Sequence, residues 1–240
     1  MMVKPGTAAR RMGRRLMCWL SVIALCQPVF SQLAWACREN AMLVFDASGS
    51  MALFRDGRPK IDIAREAAAE VLPDVTRFRP TGLVTYSGGQ GPACTDVNLR
   101  VQPGVKTGDK ILSAMAKVRP NGATPLSEAV RLAADVLKRL NDPGIIVLVT
   151  DGLENCGGNA CELAQELRRE GDRLRVHVIS FFLHGRDEHT VTCLADSTGG
   201  TYAATDSLDT LRDALHKVLS CARISSRQPL RLQLGGRRRS

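Results

Sequence analysis

Met42-Leu43-Val44-Phe45-Asp46-Ala47-Ser48-Gly49-Ser50-Met51 is an apolar run that stops at an aspartate, with hydroxyls following at alternate positions. An apolar strand ending in a small, oxygen-rich turn before a helix is how an open α/β sheet builds a site at its carboxyl edge. Asp46, Ser48 and Ser50 offer hard oxygens to one point, which suits Mg²⁺, Mn²⁺ or Ca²⁺. Gly49 is expected to relax the backbone so that the turn closes. Read alone, Asp and Ser after a strand are also ordinary helix N-caps.

Working outward, residues 41–45 read as a strand buried on both faces. Further strands are expected over 82–86, 145–150, 174–182 and 201–204, with 97–101 returning as an antiparallel edge strand. Helices are expected over 60–75, 108–118, 125–140, 163–169, 189–197 and 208–219, the first two and the last with one apolar face. Residues 52–60 read as a polar loop. Pro125 opens the long helix and makes Thr124 its N-cap, so the Thr124 hydroxyl has two competing uses. Strands alternating with helices imply a doubly wound, mostly parallel sheet.

Two later segments extend the first stretch. Gly122-Ala123-Thr124-Pro125-Leu126 places a threonine at a helix start, and Ile145-Ile146-Val147-Leu148-Val149-Thr150-Asp151-Gly152 is a second buried strand ending in Asp-Gly. Asp-x-Ser-x-Ser, a distant Thr and a distant strand-terminal Asp resemble the metal-ion-dependent adhesion site of von Willebrand factor type A domains. The resemblance covers roughly residues 38–221. It implies a Rossmann-like α/β fold with helices on both faces and a strand order of 3-2-1-4-5-6. It also implies that Ser48, Ser50 and Thr124 contact the ion directly while Asp46 and Asp151 act through waters. An ion with so few carboxylate contacts is electrophilic and takes an Asp or Glu of a protein partner. Mg²⁺ is the expected ion, with Mn²⁺ or Ca²⁺ as alternatives. Glu154 and Asp96 fall in the same rim loops and read as solvated charges.

Two rival functions are a structural module whose ion only stabilises the rim, and a metal-dependent hydrolase. The hydrolase needs a base beside the ion's water. No His neighbours a motif residue in sequence, and neither a Gly-x-Ser-x-Gly elbow nor a phosphate loop is present. The chain is therefore expected not to be an enzyme.

The 240 residues suit one sizeable core. The formal charge of +9 is carried by the ends, and residues 37–221 are slightly acidic. Residues 1–36 read as a secretory signal: Lys4, Arg10, Arg11, Arg14 and Arg15 precede an apolar stretch and Ala34-Trp35-Ala36. The stretch is shorter than the ~20 residues of a membrane span, so cleavage is expected and no stable span remains. A retained anchor and lipid attachment at Cys37 are the competing readings. Residues 222–240 read as a basic tail expected to be disordered. Aromatic residues make up only 4%, and no nucleic-acid module is present, so nucleic acid is not an expected partner. The expected location is periplasmic or secreted.

Cys37, Cys94, Cys156, Cys161, Cys193 and Cys221 remain after the signal, an even number that suits disulfides in an exported chain. No Cys-x-x-Cys pair is present, and zinc is not expected. The family's strand order puts Cys37 and Cys221 at the rim opposite the metal turn, as one pair. It puts the other four on the metal rim, Cys94 with Cys156 and Cys161 with Cys193. A local Cys156–Cys161 bridge is the alternative.

Overall fold

The computed structural model describes residues 39–89, 94–171, 173–183 and 188–221. The expected signal, the basic tail and the Cys37 side of the Cys37–Cys221 pair lie outside the described residues.

The chain enters on β1 (Asn40–Asp46), all of it buried, and turns through a short 3-10 segment, Gly49–Ala52. A two-rung hairpin, β2 (Phe54–Arg55) and β3 (Arg58–Pro59), lies where a plain polar loop was expected. Asp56 and Gly57 at its tip have φ of 51° and 78°, the paired left-handed conformation that tight hairpins favour. Then follow α1 (Lys60–Val75), β4 (Thr81–Tyr86), β5 (Val97–Gly104), α2 (Gly108–Lys117) and α3 (Leu126–Leu140). The chain continues through β6 (Gly144–Thr150), α4 (Ala160–Arg169), β7 (Leu174–Phe181), α5 (His189–Thr198), β8 (Tyr202–Thr205) and α6 (Leu208–Leu219).

The main sheet runs β5-β4-β1-β6-β7-β8, parallel except for β5 against β4. Counting only its six strands, this is the expected 3-2-1-4-5-6. Alternate side chains of the central strands feed two cores. Leu43, Phe45, Val147 and Val149 pack with Ile61, Leu72, Ile111 and Leu215 on one face. Met42, Val44, Ile146 and Leu148 pack with Val130, Leu163 and Leu194 on the other. Burial on both faces explains the unbroken apolar runs in the sequence. Chain order reverses between β1 and β6, so their carboxyl ends flank the crevice where such sheets bind ligands.

Arg79 closes the opposite end. It is buried and donates from Nε to the Leu219 carbonyl at 2.8 Å and from Nη1 to the Glu39 carbonyl at 3.1 Å. The start of the first strand and the end of the last helix are thus held by one side chain.

His177 on β7 sets a pH dependence. Its Nδ1 accepts the Thr201 amide at 3.2 Å and bonds Thr201 Oγ1 at 2.9 Å. Burial, then the charge of Arg175, lowers its pKa from 6.5 to about 4. Between those values the unfolded chain binds the extra proton. Stability present above pH 6.5 is therefore lost as pH falls through about 4. Half-exposure screens the charge, so the expected loss is about 1 kcal/mol. Urea midpoints at about pH 7 and about pH 4 measure it, and His177→Gln is expected to flatten that part of the profile.

Candidate metal centre

Asp46 ends β1 with its side chain fully buried. One carboxylate oxygen, Oδ1, accepts the Ser48 amide at 2.7 Å, which bends the chain into the turn. The other, Oδ2, accepts the Thr150 hydroxyl at 2.8 Å and faces the Asp151 amide at 3.4 Å. Tyr86 donates to Thr150 Oγ1 at 3.0 Å, so β4, β1 and β6 are joined through buried hydroxyls. Burial, with the Asp46 charge beside it, pushes the Tyr86 phenol well up.

The two serines follow as a relay. Ser50 Oγ donates to Asp151 Oδ1 at 2.6 Å. That commits the Ser50 proton, so the 3.0 Å contact between Ser48 Oγ and Ser50 Oγ carries the Ser48 proton. The expected role of Gly49 is not realised: it is absent from the positive-φ glycines, and its amide instead donates to the Gly122 carbonyl at 3.0 Å. The left-handed glycine of this turn pair is Gly122, with φ of 83°.

Thr124 is not the N-cap of α3. Pro125 holds that position, and no side chain caps from it. The Ser127 amide, an orphan donor of the first turn, is taken by Glu154 Oε2 at 2.8 Å. The Thr124 hydroxyl is left free of capping, and its amide is fixed by Asn155 Oδ1 at 2.6 Å. A methyl group on Gly152 would lie 3.6 Å from Ser50 Oγ and 3.8 Å from Thr124 Oγ1. Those two hydroxyls therefore share a cradle that the bare glycine leaves open. Asp46, Ser48, Ser50 and Asp151 form one bonded network, and the Thr124 hydroxyl lines the cradle beside it.

Lys60 was not anticipated. It opens α1, where the helix dipole disfavours a cation, and its ammonium is buried in an ion pair with Asp151 Oδ2. The signal was a lysine at the first position of a helix, with Asp62 in the same turn. Burial, then repulsion from Asp46, pushes the Asp151 carboxyl up, against Lys60 and Ser50.

The donor set is all oxygen. Among the described residues no group of three or more His, Cys, Asp or Glu converges, so any ion here relies on hydroxyls beside two carboxylates. Ser48 and Ser50 oxygens 3.0 Å apart match neighbouring corners of an octahedron. Metal–oxygen bonds of about 2.1 Å give that spacing. The set fits Mg²⁺ or Mn²⁺.

The rim charges read as solvated are structural. Asp96 is buried, accepts the Gly89 amide at 2.6 Å and holds Asn98 at 2.7 Å. Glu154 accepts the amides of Ser127 and Cys156, both at 2.8 Å. Cys94 pairs with Cys156, and Cys161 with Cys193. The local Cys156–Cys161 alternative does not form.

Residues 41–154 match the family model of the von Willebrand factor type A domain. The chain is 26% identical over 208 residues to the YwmD protein of Bacillus subtilis (strain 168), covering 82% of this chain and 92% of that protein. The crystal structure of BatB from Bacteroides thetaiotaomicron superposes with a TM-score of 0.60 at 17% identity, over 75% of this chain and 97% of that one. The pilus adhesin SpaC from Lactobacillus rhamnosus GG gives 0.61 at 15% identity, over 76% of this chain and 30% of that one.

Proposed function

We propose, for a chain that carries a von Willebrand factor type A domain, that the domain binds a divalent cation through Asp46, Ser48, Ser50, Thr124 and Asp151. Through that ion it binds an Asp or Glu of a protein partner. The domain is of a kind that serves protein–protein interaction. The observation that carries the finer reading is the relay Ser48–Ser50–Asp151 beside the locked Asp46.

Charge supports the choice of partner. Asp46 and Asp151 are two negative charges and Lys60 is one positive charge, so these three groups together carry one net negative charge. A divalent ion reverses it to one net positive charge, which a single outside carboxylate neutralises. Mg²⁺ is the first choice, since it keeps waters and asks for octahedral oxygen. No catalytic step belongs to this reading, because Asp46 and Asp151 are both already engaged by fixed donors. Two disulfides among the described residues support an oxidising compartment, periplasmic or extracellular. No helix among the described residues is long and apolar enough to cross a membrane.

The test is a Mn²⁺ titration of the oxidised protein followed by water-proton relaxation. Saturable binding that Mg²⁺ competes away is expected, and Ser48→Ala with Ser50→Ala should abolish it while the melting transition stays cooperative. The Lys60–Asp151 pair favours a second reading, a rim that supplies its own cation and needs no metal. No saturable binding in the folded wild type would select that reading.

A further inference from the structure

A groove of about 1080 Å³ runs between β5 and α2, one end of it reaching the metal turn. Arg100, Val101 and Gln102 all line it. The β4–β5 register shifts between Leu83 and Val84, a bulge that falls at Arg100, so Arg100 reaches Thr85 while Val101 packs on the α2 side, and the groove lies along that face of the strand. β5 is the outer strand of the sheet, pairing among the described residues only with β4. Among the described residues no strand pairs its outer side, which leaves backbone groups open there, Pro103 having no N–H to offer. The facing wall includes Lys110 and Lys117 of α2, and Arg119 closes the end nearest the metal turn.

Four cations, Arg100, Lys110, Lys117 and Arg119, face a single acid, Asp109. Among the described residues none of the four lies within ion-pairing distance of a carboxylate. Arg100 is oriented by Thr85 Oγ1 at 2.9 Å. This positive groove stands on a domain that is slightly acidic as a whole. Its size exceeds what one phosphate or carboxylate fills and suits several residues of chain. No aromatic side chain lines it, so nothing offers bases a stacking platform.

We propose that the groove between β5 and α2 binds an extended, acidic polypeptide segment. Such a segment would lie along β5 beside α2 and place its carboxylates among Arg100, Lys110, Lys117 and Arg119. The groove needs no metal and is independent of the rim reading, although its Arg119 end adjoins the metal turn.

The test is fluorescence anisotropy with a labelled peptide of alternating Glu and Val, titrated with the purified protein. Binding is expected equally in Mg²⁺ and in EDTA, and it should weaken as salt is raised. Lys117→Glu with Arg119→Glu should weaken it about tenfold, as two reversed exposed charges of up to about 1 kcal/mol each imply. Lys217→Glu, on the distant α6, should leave it unchanged. No binding overturns the proposal, as does binding that ignores the double variant. Binding lost only in EDTA assigns the peptide to the metal rim, which sinks the groove and supports the rim reading. Tighter capture of an inorganic polyphosphate of equal charge would overturn the polypeptide assignment.

Discussion

Lys60→Met is expected to tighten the proposed divalent-ion binding by at least about tenfold and, with no ion present, to cost the fold about 3 kcal/mol. Both effects come from one ammonium. In the wild type it is paired to Asp151 Oδ2, while Asp151 Oδ1 takes the Ser50 hydroxyl at 2.6 Å. An ion at Ser50 would be separated from the ammonium by the Asp151 carboxylate, for which about 6 Å is an order-of-magnitude separation. Even at the dielectric of water, a double and a single charge at that distance repel by about 1.4 kcal/mol, and a half-buried site raises the figure. Methionine keeps the length of the side chain and removes the repulsion. The same change leaves a buried carboxylate unpaired, which typically costs about 3–5 kcal/mol. In a domain of this size that lowers the melting temperature by roughly 10 °C. Calorimetry in EDTA and then in Mg²⁺ reads both effects: the variant should start below the wild type and gain more from the ion. If the variant instead binds Mn²⁺ more weakly, Lys60 positions Asp151 for the ion and does not compete with it.

Opening the Cys94–Cys156 bridge is expected to cost about 4 kcal/mol and to weaken ion binding as well. The bridge closes a separation of 62 residues, and the chain-entropy model gives that magnitude. Cys156 directly follows Asn155, whose side chain fixes the Thr124 amide, and its own amide is held by Glu154. Releasing it frees both holders of the loop that carries Thr124. The Cys161–Cys193 bridge closes 32 residues and joins α4 to α5, away from the five oxygens. Its removal should cost a similar amount of stability, about 4 kcal/mol, with no change in ion affinity. Paired Cys→Ser variants, measured by urea denaturation and Mn²⁺ titration, separate the two. Equal losses of affinity would mean that the whole rim, and not the Thr124 loop, responds to oxidation.

The elements legible in the sequence are those dictated by burial. Strands such as Asn40–Asp46 and Gly144–Thr150 are apolar on both faces, and an aspartate at the end of each marks the sheet's edge. Helices α1 and α6 keep their expected bounds because their apolar faces have no competing partner. What sequence leaves hidden is who satisfies whom across distant loops. Thr124 is not needed as a cap because Glu154, 27 residues from Ser127, supplies that bond. Asp96 looks like a loop charge until the Gly89 amide is seen against it. Lys60 reaches the site because the β2–β3 hairpin folds its segment back, with the Lys60 amide on the Leu53 carbonyl at 2.9 Å. A local reading of a polar loop contains none of that.

The placement of β1 has a mechanical consequence. Its last residue, Asp46, belongs to the proposed grip on the partner, and its first leads to the end of the domain that Arg79 fastens. A tether leaving from that end would transmit a pull along β1 itself. The strand is paired along its length on both sides, from Ala41 to Asp46 against β4 and from Asn40 to Phe45 against β6. Force along its axis therefore shears two ladders at once instead of unzipping one bond at a time, so load is shared across the middle of the sheet.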